Sequence, residues 1–267
     1  MALAICTFAS GSSGNSYLVE TDNTVLLVDA GITGKRIKAG LASRGLTPAD
    51  IDGILITHEH TDHVKSVKMM AKEACNASVW SSPGTLMAIE NKVASEKLRA
   101  FSCEDGPFHI GDIEVHPFRL SHDAAEPVGY SFVYGGKRAA IVTDTGCVTE
   151  SIFSEIVNAD LLMLEANHEK NVLLMGGYPY SLKQRILGDK GHISNDQTAD
   201  CMIRILRERD NPNVPFIALA HLSGENNSPG MAYLTVKNRL FDEDLFEGRD
   251  YRLTVLVRDE FVEPIEV

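Results

Sequence analysis

The chain lacks any uninterrupted apolar run approaching the ~18 residues that a membrane span needs, so nothing in it is expected to cross a bilayer. The opening Met-Ala-Leu-Ala-Ile-Cys-Thr has neither a basic region nor a long apolar stretch and does not read as a signal peptide. Cysteine is scarce. Cys6, Cys75, Cys103, Cys147 and Cys201 are scattered and form no CxxC pair, which argues against a disulfide framework and suits reduced thiols in a cytoplasm. Positive charge is short as well. The 25 Lys and Arg face 37 Asp and Glu, a net charge of −12, which argues against a broad basic surface for nucleic acid. It leaves room for a nuclease whose positive charge arrives as bound metal ions.

What is present reads as an ordinary globular chain: 267 residues, 44% apolar and 23% charged, enough to bury a sizeable core without staples. No internal repeat, low-complexity tract or linker interrupts it, so residues 1–267 are expected to form one continuous domain. Short apolar or β-branched runs between Gly, Ser, Asn and Asp clusters predict strands at 4–8, 16–20, 25–29, 53–57 and 78–81. Helices are expected between them at 34–43, 62–75 and 83–88. The theme then recurs. Strands are expected at 112–120, 128–134, 138–143, 161–165, 216–220 and 252–257, and helices at 149–157, 194–209 and 228–241. Two runs of strands, each followed by helices, predict two sheets packed face to face with helices outside. That is an α+β fold, a four-layer αββα sandwich built as two similar halves.

The sharpest local signal is His58-Glu59-His60-Thr61-Asp62-His63, directly after a predicted strand. Residues i and i+2 of an extended turn project to one side, so His58 and His60 share a wall, while Asp62 and His63 begin a helix on the other. Imidazole and carboxylate are the ligands that Zn2+ and similar divalent ions take. The competing reading is a solvated loop of helix-capping residues. Further candidate ligands lie where other strands end: His122, Asp144 and His221. Any one of them alone would more often be a cap or turn residue. Strand ends along one edge of a layered fold converge on one cleft, however, and together they favour a shared metal site.

With these residues in place, the chain resembles the metallo-β-lactamase-fold hydrolase superfamily. Asp29, in Leu27-Val28-Asp29-Ala30-Gly31, is similar to the first motif of that superfamily, a buried Asp that orients metal ligands. The hexapeptide is similar to the second motif, and His122, Asp144 and His221 to the third, fourth and fifth. The resemblance covers about residues 3–240 and implies the αββα sandwich. It also implies two divalent ions, zinc first and manganese second, with a hydroxide between them as nucleophile. His58, His60 and His122 would hold one ion, Asp62, His63 and His221 the other, and Asp144 would bridge. Asp rather than Cys at that bridging position resembles the phosphodiesterase and glyoxalase branches.

Two more segments, Leu164-Glu165-Ala166-Asn167-His168 and Gly191-His192-Ile193-Ser194-Asn195, resemble parts of ribonuclease Z where a Glu and a His assist the leaving group. That implies a catalytic set of Asp62, His192 and Glu165, in which His192 gives a proton or hydrogen bond to the departing oxygen and Glu165 orients or tunes it. Phe8-Ala9-Ser10-Gly11-Ser12-Ser13-Gly14-Asn15-Ser16 and Ala220-His221-Leu222-Ser223-Gly224-Glu225-Asn226-Asn227 resemble the YycJ (WalJ) family, which implies a 5′-to-3′ exonuclease with DNA as substrate. The chain has no room for the inserted β-CASP domain of larger nucleases, and no long arm like the one that grips tRNA in ribonuclease Z.

Weaker signals stay open. The loop at 10–16, Ser13 and Asn15 included, either cradles a phosphate with backbone N–H groups and hydroxyls or simply turns the chain. Gly176-Gly177-Tyr178-Pro179-Tyr180 either offers aromatics to a nucleobase or packs as a surface loop. His168 neighbours the site but is a poorer ligand candidate than His221, while His109 and His116 read as structural or exposed. The alternative function is a metal-dependent hydrolase of small thioesters, lactones or lactams, since fold does not fix function. A non-catalytic binding protein is disfavoured because no expected ligand is missing.

Overall fold

The apolar and β-branched runs pair into two seven-stranded sheets in a computed structural model that describes residues 2–258 and 260–267. Strands β1 (Ala4–Ala9), β2 (Ser16–Glu20), β3 (Val25–Val28), β4 (Gly53–Leu55), β5 (Ser78–Ser81) and β6 (Leu98–Ala100) build the first sheet. Its far edge is closed by β14 (Val262–Glu266), in the order β14-β1-β2-β3-β4-β5-β6. The second sheet runs in plain succession through β7 (Phe108–Ile110), β8 (Ile113–Arg119), β9 (Val128–Tyr134), β10 (Lys137–Val142), β11 (Leu161–Glu165), β12 (Phe216–Ala220) and β13 (Arg252–Val255). From β14 and from β7 the pattern is the same: three antiparallel pairings, then three parallel ones.

Parallel neighbours cannot be joined by a tight turn and need crossover connections. Helices supply most of them. In the first half these are α1 (Gly34–Ser43), α2 (Thr61–Val64), α3 (Val67–Glu73) and α4 (Pro83–Ile89). In the second half they are α5 (Glu150–Ile156), α6 (Lys170–Met175), α7 (Tyr180–Leu187), α8 (Asn195–Glu208) and α9 (Pro229–Phe241). Along β3, Leu26 and Val28 point between the sheets with Leu55, Tyr130, Phe132 and Met163, while Leu27 points outward to Ile37, Ile54 and Met70 beneath the helices. The second sheet has a matching outer layer of Val142, Leu162, Leu164, Met202 and Val236. Strands apolar on both faces read as unbroken hydrophobic runs, which is how both halves announced themselves. The four-layer αββα architecture is as expected.

The differences have local causes. The helix expected at 62–75 breaks at Ser66, whose N–H donates to Ala30 O and whose hydroxyl donates to Ile32 O at 2.6 Å, pinning the turn to the end of β3. The strand expected at 53–57 stops at Leu55, because the Thr57 N–H leaves the ladder for the Asp29 carboxylate. The strand expected at 252–257 ends at Val255. Strands β6, β7 and β14 were not anticipated: the first two have three residues each, and β14 contains Pro264, tolerable only because this strand lies at an edge. All five cysteines are free thiols. Among the described residues no helix is long and apolar enough to cross a membrane.

Packing of this kind makes the layer between the sheets the most sensitive part of the fold. Phe132 is fully buried there whereas Met87 on α4 is 70% exposed. In urea unfolding, Phe132→Ala is expected to cost about 3–5 kcal/mol, and Met87→Ala no more than about 0.5 kcal/mol. Comparable losses would show that the inter-sheet layer is not the principal core.

Candidate metal centre

The ends of β3, β4, β10, β11 and β12 deliver Asp29, His58, Asp144, Glu165 and His221 to one edge of the sandwich. Three of these turns take a left-handed backbone: φ is 60° at Asp29, 60° at Asp144 and 55° at His221. Such a conformation is uncommon outside glycine, though Asp and His tolerate it better than most, and each instance costs about 1–3 kcal/mol. Beside Asp29 the chain must pass under the hexapeptide. A Cβ on Gly31 would lie 1.5 Å from the Asp62 carbonyl oxygen, so only glycine fits there.

The side chains meet in overlapping groups, two of which are separate groups of three, while His58, His63 and Asp144 join them. His58, His60 and His122 bring one ligand atom each within 4.8 Å of one another, with His58 Nε2 and His60 Nδ1 3.0 Å apart. Asp62, His63 and His221 form the second group under the same limit. Asp144 stands between them: its carboxylate lies 3.2 Å from His63 Nε2, 3.4 Å from His221 Nε2 and 3.9 Å from His122 Nε2. A further grouping joins Asp144, Glu165, His192 and His221, but both Glu165 oxygens are already accepting hydrogen bonds.

Each fully or nearly buried ring is aimed from behind. His63 Nδ1–H donates to Asp29 at 2.7 Å, and His221 Nδ1–H donates to Glu165 at 2.8 Å. His122 Nδ1–H donates to the Gly191 carbonyl at 3.1 Å. His58 Nδ1 lies 3.0 Å from the Thr57 hydroxyl, which itself donates to Asp29. These partners turn the other ring nitrogen of each histidine toward the cluster, as partners of metal-binding histidines do. Burial, helped by the positive charge of His63, pushes His58 well below its usual range and favours the neutral ring a ligand needs. Burial opposes charge on His63 too, but Asp29 and Asp144 outweigh it and raise that group.

His192 belongs to neither group of three. Its Nδ1–H donates at 2.8 Å to the same Glu165 oxygen that holds His221, and the side chain is 20% exposed. Burial works against a charged ring here, yet Glu165 and then Asp144 raise it to about 9. Glu165 is completely buried despite its charge; its second oxygen accepts the Thr145 N–H at 2.9 Å. A carboxylate so enclosed positions two imidazoles, the orienting place expected for Glu165 behind His192, and reaches His221 as well.

Other expected residues fall in different places. Asn15 is fully buried: its carbonyl accepts the Gly11 N–H and its amide sits 3.0 Å from His63 Nε2, the ring nitrogen that faces the cluster, whereas Ser13 is exposed on the turn. His168 is fully buried with neither ring nitrogen hydrogen-bonded, and burial lowers it to about 4. His109 and His116 pair with Glu114, away from the cluster. Thr57, Thr145 and Ser10, whose hydroxyl accepts the His221 N–H, had no sequence signal beyond adjacency to motif residues.

The donor set fits divalent cations. Asp144 Oδ2 and His221 Nε2 are buried and make no hydrogen bond among the described residues, although both point into a cluster of imidazoles and carboxylates. Unpaired buried polar atoms cost about 1–3 kcal/mol each, a penalty that ligation by a metal of the zinc or manganese kind removes.

Comparison with known proteins agrees. Residues 24–210 match a family model described as a beta-lactamase superfamily domain. Exodeoxyribonuclease WalJ of Streptococcus pneumoniae is 41% identical over 250 residues, covering 92% of this chain and 91% of that protein. Exodeoxyribonuclease YycJ of Bacillus anthracis is 37% identical over 256 residues, covering 95% of each. The metallo-beta-lactamase fold protein YhfI from Bacillus subtilis superposes with a TM-score of 0.71 at 15% identity, over 98% of this chain and 99% of that one, which speaks to fold alone.

Asp29 offers a test of the arrangement because it lies behind the cluster. Removing such a partner commonly weakens metal affinity about 10–100-fold. Asp29→Ala is expected to do so in competition with a chromophoric chelator, while His109→Ala is expected to bind as the parent does. Unchanged affinity in Asp29→Ala would mean that the carboxylate serves only the Thr57 turn.

Proposed function

The chain belongs to the metallo-β-lactamase-fold hydrolase superfamily, among the relatives called exodeoxyribonucleases WalJ and YycJ, and we propose that it is a divalent-metal-dependent phosphodiesterase acting on DNA as an exonuclease. The 5′-to-3′ direction is the one the YycJ (WalJ) resemblance implies. His58, His60 and His122 would hold one ion, Asp62, His63 and His221 a second, and Asp144 both. Zinc is the first choice for so imidazole-rich a set and manganese the second. When bound, two divalent ions supply Lewis acidity, lowering the pKa of water and neutralising charge on phosphate oxygens.

The chain's own residues supply position and a proton. Asp29 and Glu165 fix the tautomers of His63 and His221, so that Nε2 of each faces the centre. Held by Nδ1 on Glu165, His192 keeps its Nε2 proton for the departing oxygen of the ester. This histidine is the observation that carries the proposal. A thiolate, with a parent pKa near ~8.5, departs without a proton, so a donor built beside the centre favours esters of alcohols over thioesters. The names of the two relatives that match over nine-tenths of this chain support DNA as the substrate.

Metal content provides the first test. Elemental analysis after saturation is expected to give close to two equivalents per chain, falling in Asp144→Ala; one equivalent or none, unchanged in that variant, would sink the two-ion centre. Kinetics provide the second. His192→Ala is expected to keep its metals and lose about 10²–10⁴-fold in kcat on 5′-phosphorylated duplex DNA. The loss should be far smaller on bis(4-nitrophenyl) phosphate, whose leaving group needs no proton. Equal impairment on both substrates, or depleted metal, would remove His192 from the role of donor. Turnover of a thioester panel with none of DNA would favour the alternative hydrolase.

A further inference from the structure

One wall beside the site has no task in that mechanism: residues 170–190, which carry α6 and α7 and end just before His192. At its base this wall is tied to the ligand cluster. Gly191 O accepts from His122, Lys190 O accepts the Asp123 N–H, and Asp189 O accepts the Ser121 hydroxyl. The segment that follows α7 therefore stands beside His122, and α6 and α7 lead the chain up to it.

What they present is apolar and exposed. Met175 is 87% exposed, Tyr180 77% and Leu174 45%, three large side chains within seven residues of sequence. Met175 also lines a shallow groove of about 350 Å3 with Asn171, Val172 and Gly176. Large apolar side chains left exposed this close together in the chain are what a binding surface offers.

Charge in this wall runs against the rest of the molecule. Residues 170–190 hold four basic side chains, Lys170, Lys183, Arg185 and Lys190, and one acid, Asp189, in a chain of net charge −12. Arg185 is paired with Asp123, and Lys183 donates to the carbonyls of Leu174 and Gly176. Lys170 and Lys190 are exposed and make no ion pair among the described residues. Cations interleaved with aromatic and apolar faces suit a polyanion whose units also stack, which is a single nucleic-acid strand. A second copy of this chain suits the patch less well, since a two-fold contact sets the patch against itself, lysine to lysine.

Resting on the nuclease reading above, we infer that a single DNA strand crosses the α6–α7 wall as it enters the metal centre, with a base stacked on Tyr180, its neighbour against Met175, and phosphates on Lys170 and Lys190. The experiment uses the metal-loaded protein, a phosphorothioate-linked single-stranded oligonucleotide for fluorescence anisotropy, and bis(4-nitrophenyl) phosphate as an ester too small to reach α7. Tyr180→Ala is expected to raise the Kd for the strand about 5- to 100-fold, the range one stacked base is worth. Tyr180→Phe is expected to restore it. The ratio of DNA to small-ester kcat/KM should fall with the same factor in Tyr180→Ala. Lys170→Glu with Lys190→Glu should flatten the salt dependence of log Kd by about 0.7 per lysine.

A wild type that cleaves DNA, with unchanged Kd and salt slope in these variants, overturns the inference and leaves the nuclease reading intact. A wild type that hydrolyses the small ester but neither binds nor cleaves DNA overturns both. A dimer that Tyr180→Ala splits in sedimentation, at unchanged DNA affinity, overturns it in favour of self-association.

Discussion

A carboxylate without access to water must be satisfied by the protein around it, and the site depends on two of them. Asp29 collects the Thr57 N–H, the Thr57 hydroxyl and His63; Glu165 collects Thr145, His192 and His221. Each sheet contributes one, Asp29 following β3 and Glu165 ending β11. Burying a charge this way is costly unless hydrogen bonds answer it from several sides. The geometry follows from that requirement: the donors that satisfy the two carboxylates are the imidazoles and backbone turns whose positions define the cluster.

Stability and function are spent differently in the two parts of the molecule. Between the sheets, Tyr130, Phe132, Ile141 and Met163 pack without exposure above 1%. Along the site edge the same chain carries left-handed backbone at Asp29, Asp144 and His221, and buried polar atoms without hydrogen bonds on Asp144, His168 and His221. A stiff, dry interior tolerates such strain because it over-determines the positions of the strand ends. Under the proposed function, ion binding and folding are coupled, because the native arrangement holds a ligand set that an unfolded chain does not assemble.

The two sheets were legible because their strands are apolar on both faces, and the cluster was legible because six consecutive residues from His58 carry four candidate ligands, three His and one Asp. His122, Asp144 and His221 could be placed by their positions after strands. The supporting places of Asp29 and Glu165 were reached only through the family resemblance, because nothing in the residues alone distinguishes a glutamate that meets substrate from one sealed beneath two histidines, as Glu165 is. Asn15 shows the same limit: a Gly/Ser loop suggests a phosphate cradle, whereas the side chain turns inward because Gly11 and His63 offer it partners. Strands of three residues, and one with a proline, lack the length or the alternation that would reveal them.

The pairing of β14 with β1 sets an order on synthesis. Ala4 is the partner of Glu266, so the edge of the first sheet stays open while the whole second sheet is being made. On the ribosome, β1 emerges early with all its side chains destined for burial and one flank unpaired, a state in which strand edges recruit other chains. The last strand thus acts as a seal on the nascent protein. Chains released before it appears would carry most of the fold and an adhesive edge, and they are the natural clients of chaperones.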